Sequence, residues 1–73
     1  MNTYDELLKI LKDKVTVSEI TLSSDLRKLG VDSLDLVEII MDVEDKFGIQ
    51  FETEDLNKFV TVEDVVKAID SKR

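Results

Sequence analysis

The most constraining feature of this chain is the stretch from Ser33 to Phe47, where apolar residues recur at the spacing of one helix face. Asp32 or Ser33 can cap the start of such a helix, and Gly48 can end it in a left-handed conformation. At about 100° per residue, the large apolar side chains collect on one face. They are Leu36, Ile39, Ile40, Val43 and Phe47. The stretch therefore predicts an amphipathic helix packed on a core.

A second apolar stripe on this helix, formed by Leu34, Val37 and Met41, lies about 130° from the core stripe. The acids of the helix lie broadly opposite the core or beside this stripe: Asp35, Glu38, Asp42, Glu44 and Asp45. Either the helix is buried on two sides, as is common in small bundles, or the stripe is an exposed docking patch rimmed by carboxylates. We favour docking, because so small a domain has few elements left to cover a second face.

Before this helix, the pattern predicts a first helix over Thr3–Lys14 and then a long connection over Thr16–Asp32. Thr3 and Glu6 have the spacing of a capping box. We expect the connection to be an ordered loop with a short helical turn near Ser24–Leu29. The apolar anchors of the first helix and the loop are Leu7, Leu8, Leu11, Val15, Val17, Ile20, Leu26 and Leu29.

After this helix, the sequence predicts a short third helix near Glu54–Asn57 and a last helix that opens at Thr61, with Asp64 three residues later. Its inward residues are Val62, Val65, Val66 and Ile69. Strand-like patches at 14–17 and 49–51 are too short to build a sheet. The prediction is an all-α bundle of three main helices and one short helix, in a single domain over residues 1–73.

The composition argues against an enzyme. The chain has 73 residues and contains neither His nor Cys, so it lacks the usual neutral-pH base and any side-chain thiol. A Ser-His-Asp or Cys-His site cannot be built, and zinc would find carboxylates as its ligands, which is a poor set. A calcium loop starting at Asp42 also fails, because Phe47 and Thr53 would stand at the required Gly and Glu. We expect no resident metal.

The net charge of −7 is concentrated in the middle of the chain. Residues 32–57 hold nine acids against the single base Lys46, whereas residues 1–31 hold five acids and five bases. This charge disfavours nucleic acid and anionic membranes and favours basic protein partners. No apolar run approaches the roughly 20 residues of a membrane span, and no secretory signal is visible, so we expect a cytoplasmic protein. We also expect a monomer.

Ser33 stands where the long loop enters the second helix, so its hydroxyl should be exposed. A phosphate ester there would meet free backbone N–H groups and the positive end of the helix dipole. Alternatively, Ser33 is simply an N-cap, as most serines at such positions are. Composition and spacing do not separate these two interpretations.

The segment Leu29-Gly30-Val31-Asp32-Ser33-Leu34-Asp35-Leu36-Val37-Glu38 resembles the acyl carrier protein family, which carries an L-G-x-D-S-L-D motif at this place. The helix end Glu44-Asp45-Lys46-Phe47-Gly48-Ile49 and the start Thr61-Val62-Glu63-Asp64 agree with the family as well. The resemblance implies a four-helix bundle with a 4′-phosphopantetheine arm on Ser33. A phosphopantetheinyl transferase delivers this arm from coenzyme A with Mg²⁺, and its thiol carries acyl groups as thioesters.

The resemblance also implies roles for residues around Ser33. Asp32, Leu34 and Asp35 would be read during attachment of the arm. Synthases, reductases and acyltransferases would use their own basic patches to bind this chain. The residues that they would contact are Leu34, Val37, Glu38, Met41, Glu44 and Asp45. An acyl chain would be sheltered by Ile40, Val43, Phe59 and Val65.

Two departures from the family pattern bear on the pathway. Lys28 stands where the family usually has an acid, with Arg27 beside it, and Phe59 is bulky for a cleft residue, which suits a short cargo or a shallow pocket. The leading hypothesis is a free-standing carrier for fatty-acid synthesis, which the start at Met1 favours. The alternatives are a carrier for polyketide, non-ribosomal peptide or cell-envelope assembly, and an acidic interaction module in which Ser33 is only a cap.

Overall fold

The computed structural model describes residues 2–15 and 19–73, and it confirms the all-α prediction. Four helices follow one another along the chain: α1 (Thr3–Lys14), α2 (Ser33–Phe47), α3 (Thr53–Asn57) and α4 (Val62–Lys72). Within the described residues there is no strand, and an isolated antiparallel bridge joins Asp25 to Thr61. The predicted bounds of α1 and α2 are confirmed.

The start of α1 differs from the prediction. Asn2 is the N-cap, and its side-chain oxygen accepts a hydrogen bond of 2.8 Å from the backbone N–H of Asp5. The predicted capping box of Thr3 and Glu6 is therefore wrong. Thr3 is buried instead, because its hydroxyl donates to Asp70 on α4 and accepts a hydrogen bond from Arg73. The side chain of Thr3 thus makes a tertiary contact in place of the capping contact that the local sequence pattern predicted.

The two ends of α2 are closed by local hydrogen bonds. The Asp32 carboxylate accepts from the backbone N–H of Asp35 at 2.9 Å, and the Asp35 carboxylate faces the N–H of Asp32 at 3.5 Å. At the other end Gly48 has φ +68° and donates its N–H to the carbonyl of Glu44 at 2.9 Å. This left-handed ending is the one that the position of Gly48 predicts.

The core lies between α1, α2 and α4, and described residues of the connection between α1 and α2 also belong to it. The helices contribute Leu7, Leu11, Ile39, Ile40, Val43, Val62, Val65 and Ile69, and the loop and its borders contribute Val15, Ile20, Leu26, Leu29 and Val31. The expected loop anchors are thus confirmed, except for Val17, which lies outside the described residues. Burial of these apolar side chains is the main source of the bundle's stability.

The loop is fixed to the start of α4 by backbone hydrogen bonds between residues 22–26 and residues 60–63. These bonds run from Leu26 N to Val60 O (2.9 Å), from Val62 N to Ser24 O (3.0 Å) and from Glu63 N to Leu22 O (2.9 Å). A bond of 3.2 Å from Leu29 N to Asp25 O forms the expected short helical turn. The segment that leads into Ser33 is therefore ordered against the bundle.

Candidate functional site

Ser33 is exposed and is the first residue of α2. The cap of this helix is Asp32, so the interpretation of Ser33 as an N-cap is wrong, and its hydroxyl is not used to close the helix. Because the capping box includes backbone groups on both sides of Ser33, the side chain starts from a defined backbone position. A hydroxyl in this place is open to modification by a second protein.

Beside Ser33 lies an open groove with a volume of about 790 Å³. It is bordered by the turn at residues 25–31, by the first turn of α2 and by residues 56–60. The lining residues are Asp25, Leu26, Arg27, Gly30, Val31, Asp32, Ser33, Leu36, Leu56, Asn57, Phe59 and Val60. The groove thus joins an exposed hydroxyl to a wall of mixed polar and apolar side chains.

The residues predicted to shelter an acyl chain fall into two places. Phe59 lines the groove and packs edge-on against Phe51, with ring centroids 5.5 Å apart. Ile40, Val43 and Val65 are buried in the core and do not line the groove. Sequence reasoning did not assign Leu26, Val31 or the other apolar wall residues to the site. The sequence contained one signal for these wall residues. Leu26 and Val31 flank the segment Arg27-Lys28-Leu29-Gly30, shortly before the motif serine.

The second apolar stripe of α2 is exposed to solvent. Leu34 is 77%, Met41 59% and Val37 46% accessible, so burial of the helix on two sides is wrong. We call these three residues the docking strip. An exposed apolar strip that starts one residue after Ser33 is typical of a surface that binds another protein.

The acids beside the docking strip are not equivalent. Glu38 and Asp42 lie 3.5 and 3.9 Å from the ammonium of Lys14 on α1. The carboxylate of Glu44 accepts the backbone N–H of Phe51 at 2.8 Å, so it holds the segment after α2 in place. Asp45 is exposed. Glu44 therefore has a structural contact that the sequence did not reveal, in addition to its place beside the strip.

The α3 wall of the groove is held by ion pairing to α4. The backbone N–H of Glu52 donates to Asp55 at 3.0 Å, and the ammonium of Lys72 lies 3.6 Å from the same carboxylate. The hydrogen bond from Glu52, together with Lys72, holds the pKa of Asp55 below its usual value. These contacts position Leu56 and Phe59 along the groove.

Comparison with known proteins identifies the family. A sequence profile described as a phosphopantetheine attachment site matches residues 5–69. An acyl carrier protein from Coprothermobacter proteolyticus is 51% identical over 71 residues, which cover 93% of this chain and 87% of that protein. This chain belongs to the acyl carrier protein family.

Further relatives span the chain in the same way. An acyl carrier protein from Helicobacter acinonychis is 38% identical over 76 residues, covering 100% of this chain and 97% of that protein. The crystal structure of an acyl carrier protein from Thermotoga maritima matches the fold with a TM-score of 0.83 at 24% identity, over 93% of this chain and 82% of that one. The acyl carrier fold thus covers nearly the whole chain.

Membership of the acyl carrier protein family implies a covalently attached phosphopantetheine group. Such proteins carry acyl groups and are generally non-catalytic, and they interact with a phosphopantetheinyl transferase and with acyl-processing enzymes. Within the described residues, no helix is long and apolar enough to cross a membrane, and no cluster of acids could hold a metal ion.

Proposed function

We propose that Ser33 carries the 4′-phosphopantetheine arm and that the chain presents acyl thioesters on this arm to the enzymes of fatty-acid synthesis. The observation that carries the proposal is the exposed hydroxyl of Ser33, left out of the helix cap and placed at the edge of the groove. The family profile that matches residues 5–69 supports the arm, and the motif around Ser33 supports this attachment point.

The arm supplies the group that the polypeptide lacks, a thiol. In loading, the Ser33 oxygen forms a phosphodiester with the phosphopantetheine of coenzyme A, and adenosine 3′,5′-bisphosphate leaves. Ser33 contributes a presented oxygen to this step, while the transferase supplies the base and Mg²⁺. A chain without His can therefore be loaded, and we propose that it is not itself an enzyme.

We propose that partners dock on the strip of Leu34, Val37 and Met41 and on the acids around it. The apolar side chains would supply contact energy, while Glu38, Glu44 and Asp45 would steer basic patches of synthases, reductases and acyltransferases. Asp32 and Asp35 lie on either side of Ser33 and would be read by the transferase. Because both already close the start of α2, a partner would meet them in a fixed geometry.

We propose that an acyl chain enters along Phe59 and is sheltered by the core residues Ile40, Val43 and Val65. The groove leads from Ser33 to Phe59, and these three residues are among the buried side chains of the bundle. Their burial means that an acyl chain must displace packed side chains, which favours a short cargo.

Arg27 and Phe59, which both line the groove, favour a second candidate: a specialised carrier for polyketide, non-ribosomal peptide or cell-envelope assembly. The mass of the natively expressed protein, with its acyl load intact, distinguishes the two. A series of fatty acyl intermediates supports fatty-acid synthesis, whereas a single amino-acyl or polyketide load supports the alternative.

The test is incubation with coenzyme A, Mg²⁺ and a phosphopantetheinyl transferase, followed by intact mass measurement. We expect wild-type protein to gain one phosphopantetheine, Ser33→Ala to gain none, and Ser23→Ala, which removes another exposed hydroxyl, to load normally. Ser33→Ala should stay folded, because Asp32 caps α2. If folded wild-type protein stays unmodified, or if Ser33→Ala is loaded, the proposal is wrong.

A further inference from the structure

Arg27 is the one basic residue among the described residues that line the groove beside Ser33. This is unexpected in a chain of net charge −7, in which residues 32–57 hold nine acids and one lysine. Basic partners would recognise the acidic surface. The basic residue Arg27 beside Ser33 must therefore have a different role.

The turn at residues 25–31 fixes the backbone of Arg27. Its N–H donates to the Asp25 carboxylate at 2.9 Å, and its carbonyl accepts from Gly30 at 3.0 Å, where φ is +87°. Leu26 and Leu29, on either side of the basic pair, are buried in the core. Arg27 therefore starts from a defined position on the groove wall.

The guanidinium of Arg27 has no anionic partner in the part of the chain that the structure describes. By contrast, Lys14, Lys72 and Arg73 all pair with carboxylates. The two acids that share the groove already accept backbone hydrogen bonds, Asp25 from Arg27 and Asp32 from Asp35. Among the described residues that line the groove, the charge of Arg27 is therefore the one available to pair with an added anion.

We propose that Arg27 binds the phosphodiester of the arm attached to Ser33 and thereby positions the first part of the arm along the groove. The inference rests on the proposed attachment at Ser33. A guanidinium and a phosphate match in geometry and charge and can form two parallel hydrogen bonds. The methyl groups that follow the phosphate in phosphopantetheine then face the apolar wall of Leu26, Val31 and Leu36.

Tethering favours the phosphodiester over the other anion that an arm can bring, a carboxylate at the end of an acyl cargo. The phosphate is bonded to the Ser33 oxygen, so its effective concentration at the groove is high and independent of the cargo. A cargo carboxylate would reach Arg27 only if the whole arm folded back. Arg27 is a positioning residue in this scheme and forms no bond to the transferred group.

The test uses the full chain loaded with phosphopantetheine, in four forms: wild type, Arg27→Gln, Arg27→Lys and Lys28→Gln. Lys28 is the matched control, because it is the neighbouring exposed cation and does not line the groove. The readouts are the ³¹P chemical shift of the phosphodiester at increasing NaCl and nuclear Overhauser contacts between the arm methyls and Leu36. Intact mass verifies loading, and circular dichroism verifies the fold.

We expect the wild-type ³¹P shift to depend on salt and the arm methyls to contact Leu36. Arg27→Gln should remove the salt dependence and lower the arm contacts about two- to five-fold, the range of an exposed ion pair. Arg27→Lys should restore part of both signals, and Lys28→Gln should match the wild type.

Three results overturn the inference while leaving the proposed function intact. They are a loaded Arg27→Gln protein that behaves as the wild type, an equal effect of Lys28→Gln, and an effect of Arg27→Gln seen only when the thiol carries a carboxylate-ended acyl group. A failure of loading at Ser33, seen by mass, removes the proposed function and this inference together.

Discussion

At the residue scale, neighbouring side chains at the start of α2 have separate tasks. Asp32 closes the helix by accepting the N–H of Asp35, and this leaves Ser33 exposed and without a structural role in the cap. The same chemistry recurs at the start of α4, where Thr61 accepts the N–H of Asp64 at 3.3 Å. In both places a side-chain oxygen satisfies a backbone donor that the helix itself cannot pair.

The pH dependence of stability should report on Asp64. The backbone N–H groups of Thr61 and Val60, each 3.0 Å from Oδ2, lower the pKa of Asp64 below its usual value of 3.8. Because the folded-state pKa is the lower one, this carboxylate stabilises the fold above about pH 3.8, and the contribution is lost as the pH falls through the folded-state pKa.

We therefore expect Asp64→Asn to be less stable than the wild type near neutral pH, with the difference shrinking as the pH falls. Urea unfolding from about pH 5 to about pH 2 measures this. Glu19→Gln, which removes one negative charge from an exposed loop residue, is the control. A constant difference between wild type and Asp64→Asn at every pH would contradict the assignment.

At the scale of the elements, α2 organises the site and its far end is set by Gly48. The N–H groups of Gly48 and Ile49 both donate to the carbonyl of Glu44, and the Glu44 side chain accepts the N–H of Phe51. Glu44 thus accepts the hydrogen bonds that end the helix through its carbonyl, and it positions the following segment through its carboxylate. Phe51 in turn packs against Phe59, so the end of α2 is connected to the groove.

Gly48→Ala should destabilise the fold by about 1 to 2 kcal/mol, because a residue with a Cβ is strained in the left-handed region. The φ of +68° supplies this cost alone, since a Cβ at this position would meet no atom within 4 Å. Gly48→Asn should cost less, because asparagine tolerates this conformation. Urea unfolding measures both, and equal losses for the two variants would show that strain is not the cause.

At the scale of the whole molecule, charge and apolar surface coincide. The most acidic third of the chain contains the docking strip and Ser33, so under the proposed function a basic partner that is drawn to the acids would arrive next to the arm. Long-range charge acts mainly on the association rate, whereas contact with the apolar strip acts mainly on the dissociation rate.

Binding kinetics with an acyl-processing enzyme that has a basic docking patch, such as a synthase, should separate these two effects. Met41→Ala should weaken binding by about 1 to 2 kcal/mol, mostly through faster dissociation, because Met41 is a large exposed apolar side chain of the strip. Asp45→Asn should slow association at low salt and match the wild type at high salt. Leu22→Ala, which trims an exposed apolar residue outside the strip, should change neither rate. An equal effect of Leu22→Ala would contradict docking on this surface.

Local patterns in the sequence were sufficient for the bounds of α1 and α2, the left-handed end at Gly48 and the capping of α4 by Thr61 and Asp64. Helix periodicity, caps and glycine conformations depend on residues within a turn of each other, so they can be inferred without the fold. The motif around Ser33 and the acidic third of the chain likewise belong to the linear sequence.

Only the tertiary structure decided the features that depend on contacts between residues far apart in the sequence. It gave the cap of α1 to Asn2, because Thr3 contacts Asp70, and it tied Glu44 to Phe51. It left Leu34 and Met41 uncovered, and it brought Arg27 and Phe59 to one groove beside Ser33. Periodicity ranks the faces of a helix, but only the packing of the other elements determines which face is covered and which loop residues meet, since burial and long-range contacts are properties of the assembled bundle.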